Sequence, residues 1–196
     1  MNTSKHTDNS IFTTLSVAAL LLMAGMSQSA TALEPQLFEG IASLCAVDPT
    51  TEETVTRGNG VVVDKQAVQL YRIETDSDLV KGWEVLTSQF KTTKSGKVFY
   101  MGTVTLTPDG FEGAGTLKEN FNLLQDGSLP AGTYTGTRDL EGVTVEYQLI
   151  PYTGDPAVLT SMCSMSPPYC GTGTCIPTAG LFGWSISGVI YDNRDE

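Results

Sequence analysis

Between Gly142 and Ile150 the apolar residues Val143, Val145, Tyr147 and Leu149 alternate with Thr144, Glu146 and Gln148. A period of two sends alternate side chains to opposite faces, so this segment is predicted to be a strand with one buried face. The segment from Lys97 to Thr107 repeats the pattern, with Val98, Tyr100, Val104 and Leu106 on one side and Phe99, Met101, Thr103, Thr105 and Thr107 on the other. Further strands are predicted from Val61 to Asp64, Val68 to Glu74, Trp83 to Phe90, Phe111 to Lys118, Thr133 to Asp139 and Leu181 to Tyr191.

Turn signals separate several of these strands. Ser95-Gly96, Pro108-Asp109-Gly110 and Asp126-Gly127 can each supply the positive φ that hairpins need. Strands joined mainly by short turns, with no alternating helices, imply an all-β antiparallel meander, and roughly eight strands suit a closed barrel or a two-sheet sandwich. Glycines inside the strand patterns, at Gly102, Gly113, Gly115, Gly136, Gly183 and Gly188, favour the barrel, because in-strand glycines commonly mark the bends by which a sheet coils and closes. In general style the pattern resembles the small lipocalin or allene-oxide-cyclase barrels. No stretch matches a motif of either, so no residue role is carried over.

The period changes upstream. After Glu34-Pro35, the residues Leu37, Ile41, Leu44 and Cys45 recur at helical spacing, Pro35 suits a first turn, and Asp48-Pro49 forms a stop. A short amphipathic helix is therefore predicted there. Still earlier, Lys5 precedes the apolar run Val17 to Met26, and Ala30-Thr31-Ala32 fits an A-x-A cleavage pattern. Residues 1 to 32 read as an export signal, too short in its apolar part for the roughly 20 residues of a membrane-crossing helix. The expected mature chain is one domain, residues 33 to 196, in the periplasm or outside the cell.

Residues 151 to 180 form the longest break between predicted strands, and a loop of thirty positions is uncommon in a compact domain unless it has a function or its own cross-links. It holds three of the four cysteines, Cys163, Cys170 and Cys175, and the fourth is Cys45. Met162, Cys163 and Met165 are soft donors of the kind Cu(I) takes. There is, however, no Cys-x-x-Cys pair, and an even number of cysteines in an exported chain points to two disulfides. Every pairing of the four ties Cys45 to the long loop.

Charge and composition then narrow the chemistry. The chain has 11 basic and 22 acidic residues, and loss of the signal removes Lys5 and Asp8 and leaves the net charge at −11. Such a balance argues against a nucleic-acid partner, whose phosphates need basic patches, and against an anionic membrane surface. The single histidine, His6, lies within the signal. Without it the usual proton shuttle near neutral pH is missing, and no cofactor or metal motif replaces it.

Two patterns approach catalytic motifs and fail on geometry. Gly183-Trp184-Ser185-Ile186-Ser187 resembles a nucleophile elbow but lacks its helix and its histidine base. Ser88 and Lys91 stand three apart in a strand, on opposite faces. The acidic run Glu74, Asp76 and Asp78 departs from a calcium loop at its sixth and twelfth positions, Leu79 and Val85. Carboxylate pairs for acid–base work are set by distance in space, and spacing singles out none.

What remains is a binding barrel. Trp83, Tyr100, Tyr147 and Trp184 are the candidate ligand-binding aromatics. Arg72 joins them, because it continues the apolar face of Val68 and Leu70 and needs a carboxylate or an anionic ligand as partner. The expected function is noncatalytic binding of a small, mainly apolar molecule. A structural or protein-contact module of the cell envelope is the alternative, and an enzyme using carboxylates or tyrosines ranks last. A packed lumen would favour the module and an open one the binder.

Overall fold

A computed structural model describes residues 34–124, 131–164 and 175–194 of the chain. The segment read as an export signal, the Asp126-Gly127 turn, Met165 and Cys170 lie outside the described residues. Strand β1 (Gln36–Asp48) is followed by the hairpin β2 (Glu53–Thr56) and β3 (Val62–Lys65). Then come β4 (Val68–Thr75), β5 (Gly82–Thr92), β6 (Val98–Pro108), β7 (Gly115–Leu124), β8 (Ala131–Arg138) and β9 (Val143–Pro151). A short helix α1 (Pro156–Met162) and the two-residue β10 (Ile176–Pro177) lead to β11 (Gly183–Asp192).

Eight of these strands close a ring. Each of β4, β5, β6, β7 and β8 pairs antiparallel with the next, β9 pairs with β11, β11 with β1, and β1 with β4. The result is a closed, antiparallel eight-stranded β-barrel. The hairpin β2–β3 extends the wall from the far half of β5, and β10 adds to the end of β1. Turn glycines do what their positions require: Gly96 and Gly110 take φ of +81° and +84°.

The predicted N-terminal helix is a correction. Residues 36 to 48 form the longest strand of the barrel. A strand with one covered face shows a period of two, but here both faces are covered along much of its length. Phe38 and Ala42 point into the barrel core, whereas Ser43 and Cys45 are buried on the outside beneath α1. A register shift between Leu44 and Ala46 then exchanges the two faces, which erases the alternation altogether.

The two ends of the barrel differ. At one end the connections β4–β5, β6–β7 and β8–β9 are short, and Phe38, Val80, Leu106, Leu117, Leu140, Val143, Val145 and Ile190 fill the lumen with almost no exposed surface. At the other end β1, β5, β7 and β9 run into the β2–β3 excursion, the β5–β6 turn, the 125–130 segment and the long 152–182 segment. Apolar burial at the filled end fixes the barrel, and the lumen opens toward the opposite end.

The described parts of the 151–180 region, residues 151–164 and 175–180, include a helix and a short strand. Asp155 accepts a hydrogen bond from the Ala157 amide and Pro156 takes the first turn, so α1 is capped at its start. The helix lies on the outer face of β1, where the Ser43 hydroxyl donates to the Leu159 carbonyl and Cys45 is bonded to Cys163. Beyond it, Thr178 donates from its amide to the Cys45 carbonyl and from its hydroxyl to that of Leu44. Cys175 is also disulfide-bonded and packs on a small second core of Ala46, Val68 and Leu70. The staple predicted between Cys45 and the long segment is present, and it fastens a strand rather than a helix.

Candidate functional site

Alternation along the barrel strands decides what faces the lumen. From β4 come Gln69, Tyr71 and Ile73, from β5 Glu84 and Leu86, and from β6 Tyr100 and Val104. Strand β7 contributes Glu119, Phe121 and Leu123, β9 contributes Tyr147 and Leu149, and β11 contributes Trp184 and Ile186. Between them is a cavity of about 260 Å³. Its mouth is flanked by Leu123, Ala131 and Phe182, at the end where β9 runs into the long segment. Phe182 is exposed and meets the Trp184 ring edge-on at 4.9 Å.

The walls are aromatic and the inner part carries two carboxyl groups. Tyr134 donates to Glu84 at 2.5 Å, and Tyr147 donates to Glu119 at 2.6 Å. The two tyrosine rings stack at 4.6 Å, so the two pairs form one unit across β5, β7, β8 and β9. Tyr71 donates to the Gln69 side chain at 2.7 Å. Tyr100 packs between Phe90 and Phe121.

Electrostatics follows from enclosure. Desolvation raises the Glu84 carboxyl to about 7, against the pull of the Tyr134 hydrogen bond and with a further push from Glu119. Glu84 is half-buried and lines the lumen. Burial also raises Glu119, opposed by Tyr147 and by the Thr133 amide. The β7–β8 ladder runs from Gly115 and Arg138 to Lys118 and Thr135, and just past it the Glu119 side chain reaches across to β8. Gly132 makes room: a Cβ there would come within 2.3 Å of both Glu119 carboxyl oxygens. Burial raises the hydroxyls of Tyr71, Tyr134 and Tyr147 as well, so the tyrosines stay neutral donors.

Of the five aromatic and basic residues singled out in the sequence, Tyr100, Tyr147 and Trp184 line this cavity together. Arg72 and Trp83 do not. They are register partners on the outer face of β4 and β5, with the guanidinium 5.8 Å from the Trp83 ring. Arg72 is 2% exposed, and its carboxylate partners are Glu74, at 2.8 Å from Nε and 2.6 Å from Nη2, and Asp109, at 2.7 Å and 2.5 Å. The expectation of a carboxylate partner holds, and the ion pairs occupy the guanidinium away from the lumen.

Glu84, Glu119, Tyr71 and Tyr134 were not singled out by the sequence. The available signal was an acid on an otherwise apolar face: Glu84 precedes Leu86 by two positions, and Glu119 stands between Leu117 and Phe121. Among the described residues no group of three histidine, cysteine or acidic side chains is placed to hold a metal, and the Cys163 sulfur is committed to Cys45. No helix of the described residues is long and apolar enough to cross a membrane. The fold and cavity together define an up-and-down β-barrel with an aromatic lumen and paired tyrosine–carboxyl groups. No protein-family model, curated protein or solved structure matches the chain.

Proposed function

We propose that the protein is an exported, noncatalytic barrel that binds a small, mainly apolar molecule in its lumen. The observation that carries this reading is the open cavity of about 260 Å³ walled by Tyr71, Tyr100, Phe121, Tyr147 and Trp184. A structural module has no use for such a space, because an unfilled core forfeits packing energy. For scale, a cavity of roughly 150 Å³ accepts benzene, so this one has room for about ten heavy atoms. The ligand enters past Phe182 and Leu123, and the anchoring of Cys163 and Thr178 to β1 holds the rim at Phe182 in place, which lowers the ordering cost of binding. The intramolecular disulfide fits an oxidising compartment, in keeping with the signal-like N-terminus.

The test uses Trp83→Phe protein, which leaves Trp184 as the sole tryptophan. Small terpenoids, medium-chain lipids and aromatic metabolites are titrated while the emission of Trp184 and the melting temperature are followed. Saturable emission changes with matching stabilisation support the reading. A panel that moves neither favours the structural module.

One observation favours a second reading. A carboxyl group raised to about 7 and hydrogen-bonded to a tyrosine is suited to exchange protons near neutral pH without histidine. If the barrel turns over its ligand, Glu84→Gln abolishes turnover and leaves binding intact. Product formation unaffected by that change would exclude Glu84 as the acid–base group.

A further inference from the structure

The binding reading leaves open what kind of polar end the ligand carries, and the hydrogen-bond inventory of the lumen addresses it. Three of the tyrosine donors are already in use: Tyr134 donates to Glu84, Tyr147 to Glu119 and Tyr71 to Gln69, which leaves the neutral Gln69 amide and Tyr100 hydroxyl among the lining donors. The Trp184 indole stands beside the Tyr71 hydroxyl as a donor. The acceptors are in surplus, because an ionised carboxylate offers about four lone-pair sites. Glu119 uses one oxygen for Tyr147 and has the Thr133 amide as its other partner.

Charge points the same way. Glu84 and Glu119 are the carboxyl side chains that line the cavity, and no lysine or arginine is among the lining residues described. Neither carboxyl takes part in a salt bridge among the described residues. Arg72, the buried cation of β4, is held on the opposite face by Glu74 and Asp109. Lys118, next to Glu119, is exposed. A carboxylate enclosed without a counter-charge is costly, and a ligand that supplies the charge gains what the protein lacks.

The walls supply a third, independent reason. Tyr71, Tyr100, Tyr147, Trp184 and Phe121 surround the space, and aromatic enclosures are the surfaces on which ammonium groups are stabilised by the ring quadrupole. A fatty acid, in contrast, would bring a negative charge to Glu119 and find only neutral donors, such as the Gln69 amide and the Tyr100 hydroxyl, and no cation to balance it.

We infer that the lumen selects amphiphiles whose polar end is a cationic amine, seated at the Glu119 carboxylate with its apolar body among the aromatic walls. The inference rests on the proposal that the lumen binds a ligand. Within that class the cavity favours primary amines on a body of about eight carbons or one to two rings. The ammonium brings three donors and one positive charge, against one donor from an alcohol and none from a carboxylate at neutral pH.

Three probes of matched size separate the possibilities: octylamine, 1-octanol and octanoate, titrated at pH 7 into Trp83→Phe protein with Trp184 emission as readout. Octylamine is expected to bind at least tenfold tighter than octanol, and octanoate weakest. Glu119→Gln is expected to bring octylamine down to the level of octanol and leave octanol unchanged, with a melting curve confirming that the variant is folded. If Glu119→Gln does not fold, the salt dependence of octylamine binding to the unaltered barrel, absent for octanol, replaces it as the readout. Octanol or octanoate binding as tightly as octylamine overturns the amine inference and leaves the binding reading standing. If none of the three changes Trp184 emission or the melting temperature, the binding reading fails with it.

Discussion

The rings of Tyr134 and Tyr147 stack at 4.6 Å, and each hydroxyl donates to a different carboxyl group, Glu84 and Glu119 respectively. Stacking fixes both phenols, so the position of one carboxyl is tied to that of the other. Tyr134→Phe removes the donor to Glu84 and keeps the ring. The expected cost is about 1 to 3 kcal/mol in urea unfolding, the range for leaving a buried acceptor without its partner. In a Glu84→Gln background the same change should cost less, and equal costs in the two backgrounds would show that the hydroxyl acts elsewhere.

The Glu84 carboxyl makes stability depend on pH with a definite sign. Its folded value of about 7 lies above the ordinary 4.5, so between these values the folded chain holds the proton more tightly than the unfolded one. Its contribution is full below about 4.5 and is lost as the pH rises to about 7. The loss is at most about 3 kcal/mol, less where lumen water reaches the carboxylate. Glu119 acts with the same sign, while Tyr71, Tyr100, Tyr134 and Tyr147 stay neutral throughout this range. Asp109, lowered chiefly by the Arg72 hydrogen bond, acts in the opposite sense, and its contribution is lost only as the pH falls through its folded value, below the Glu84 window. Urea unfolding from about pH 4.5 to 8 should show falling stability in the unaltered protein and a flatter profile in Glu84→Gln.

The Arg72 guanidinium is held outside the lumen by Glu74 and Asp109. Truncation to alanine is expected to cost about 2 to 3 kcal/mol, below the roughly 3 to 5 of a fully buried pair because Asp109 and Glu74 reach water. Lysine should recover little, since it cannot reproduce the forked contacts with both carboxylates. Trp184 emission should respond to lumen probes in Arg72→Ala as it does in the unaltered chain. A lost response in the folded variant would place Arg72 in the binding site after all.

The bond between Cys45 and Cys163 closes 118 positions of chain. Replacing both cysteines by serine is expected to lower stability by about 4 kcal/mol on the chain-entropy view, read from thermal unfolding without reductant. Because the bond fastens α1 to β1 beside the lumen mouth, the double variant should also release lumen probes faster. Unchanged release rates would separate the staple from the mouth.

Much of this was legible in the sequence, and the failures have physical causes. Strands β4, β5, β6, β8, β9 and β11 carried their alternation openly, as Val143 to Leu149 shows, whereas the strand expected from Phe111 to Lys118 was placed too early: Phe111 to Ala114, with Gly113 at φ +80°, form a turn and β7 runs from Gly115 to Leu124. β1 hid its identity because α1 covers its outer face from Ser43 to Cys45 and a register shift follows. The cavity was half legible. Tyr100, Tyr147 and Trp184 were visible as aromatics on inward faces, but Arg72 and Trp83 looked equivalent until α1 and the second small core turned the outside of β4 into a buried surface. Glu84 and Glu119 lie in different strands, and only barrel closure brings their tyrosine partners between them.

The central claim is that the lumen is an open site for a small molecule with an apolar body. Crystals soaked separately in octylamine and in 1-octanol test it most directly. Electron density for at least one of them is expected inside the barrel, running from the mouth at Leu123 and Phe182 to the rings of Tyr147 and Trp184. A lumen closed by collapsed side chains, with both probes absent or bound only on the outer surface, would contradict it.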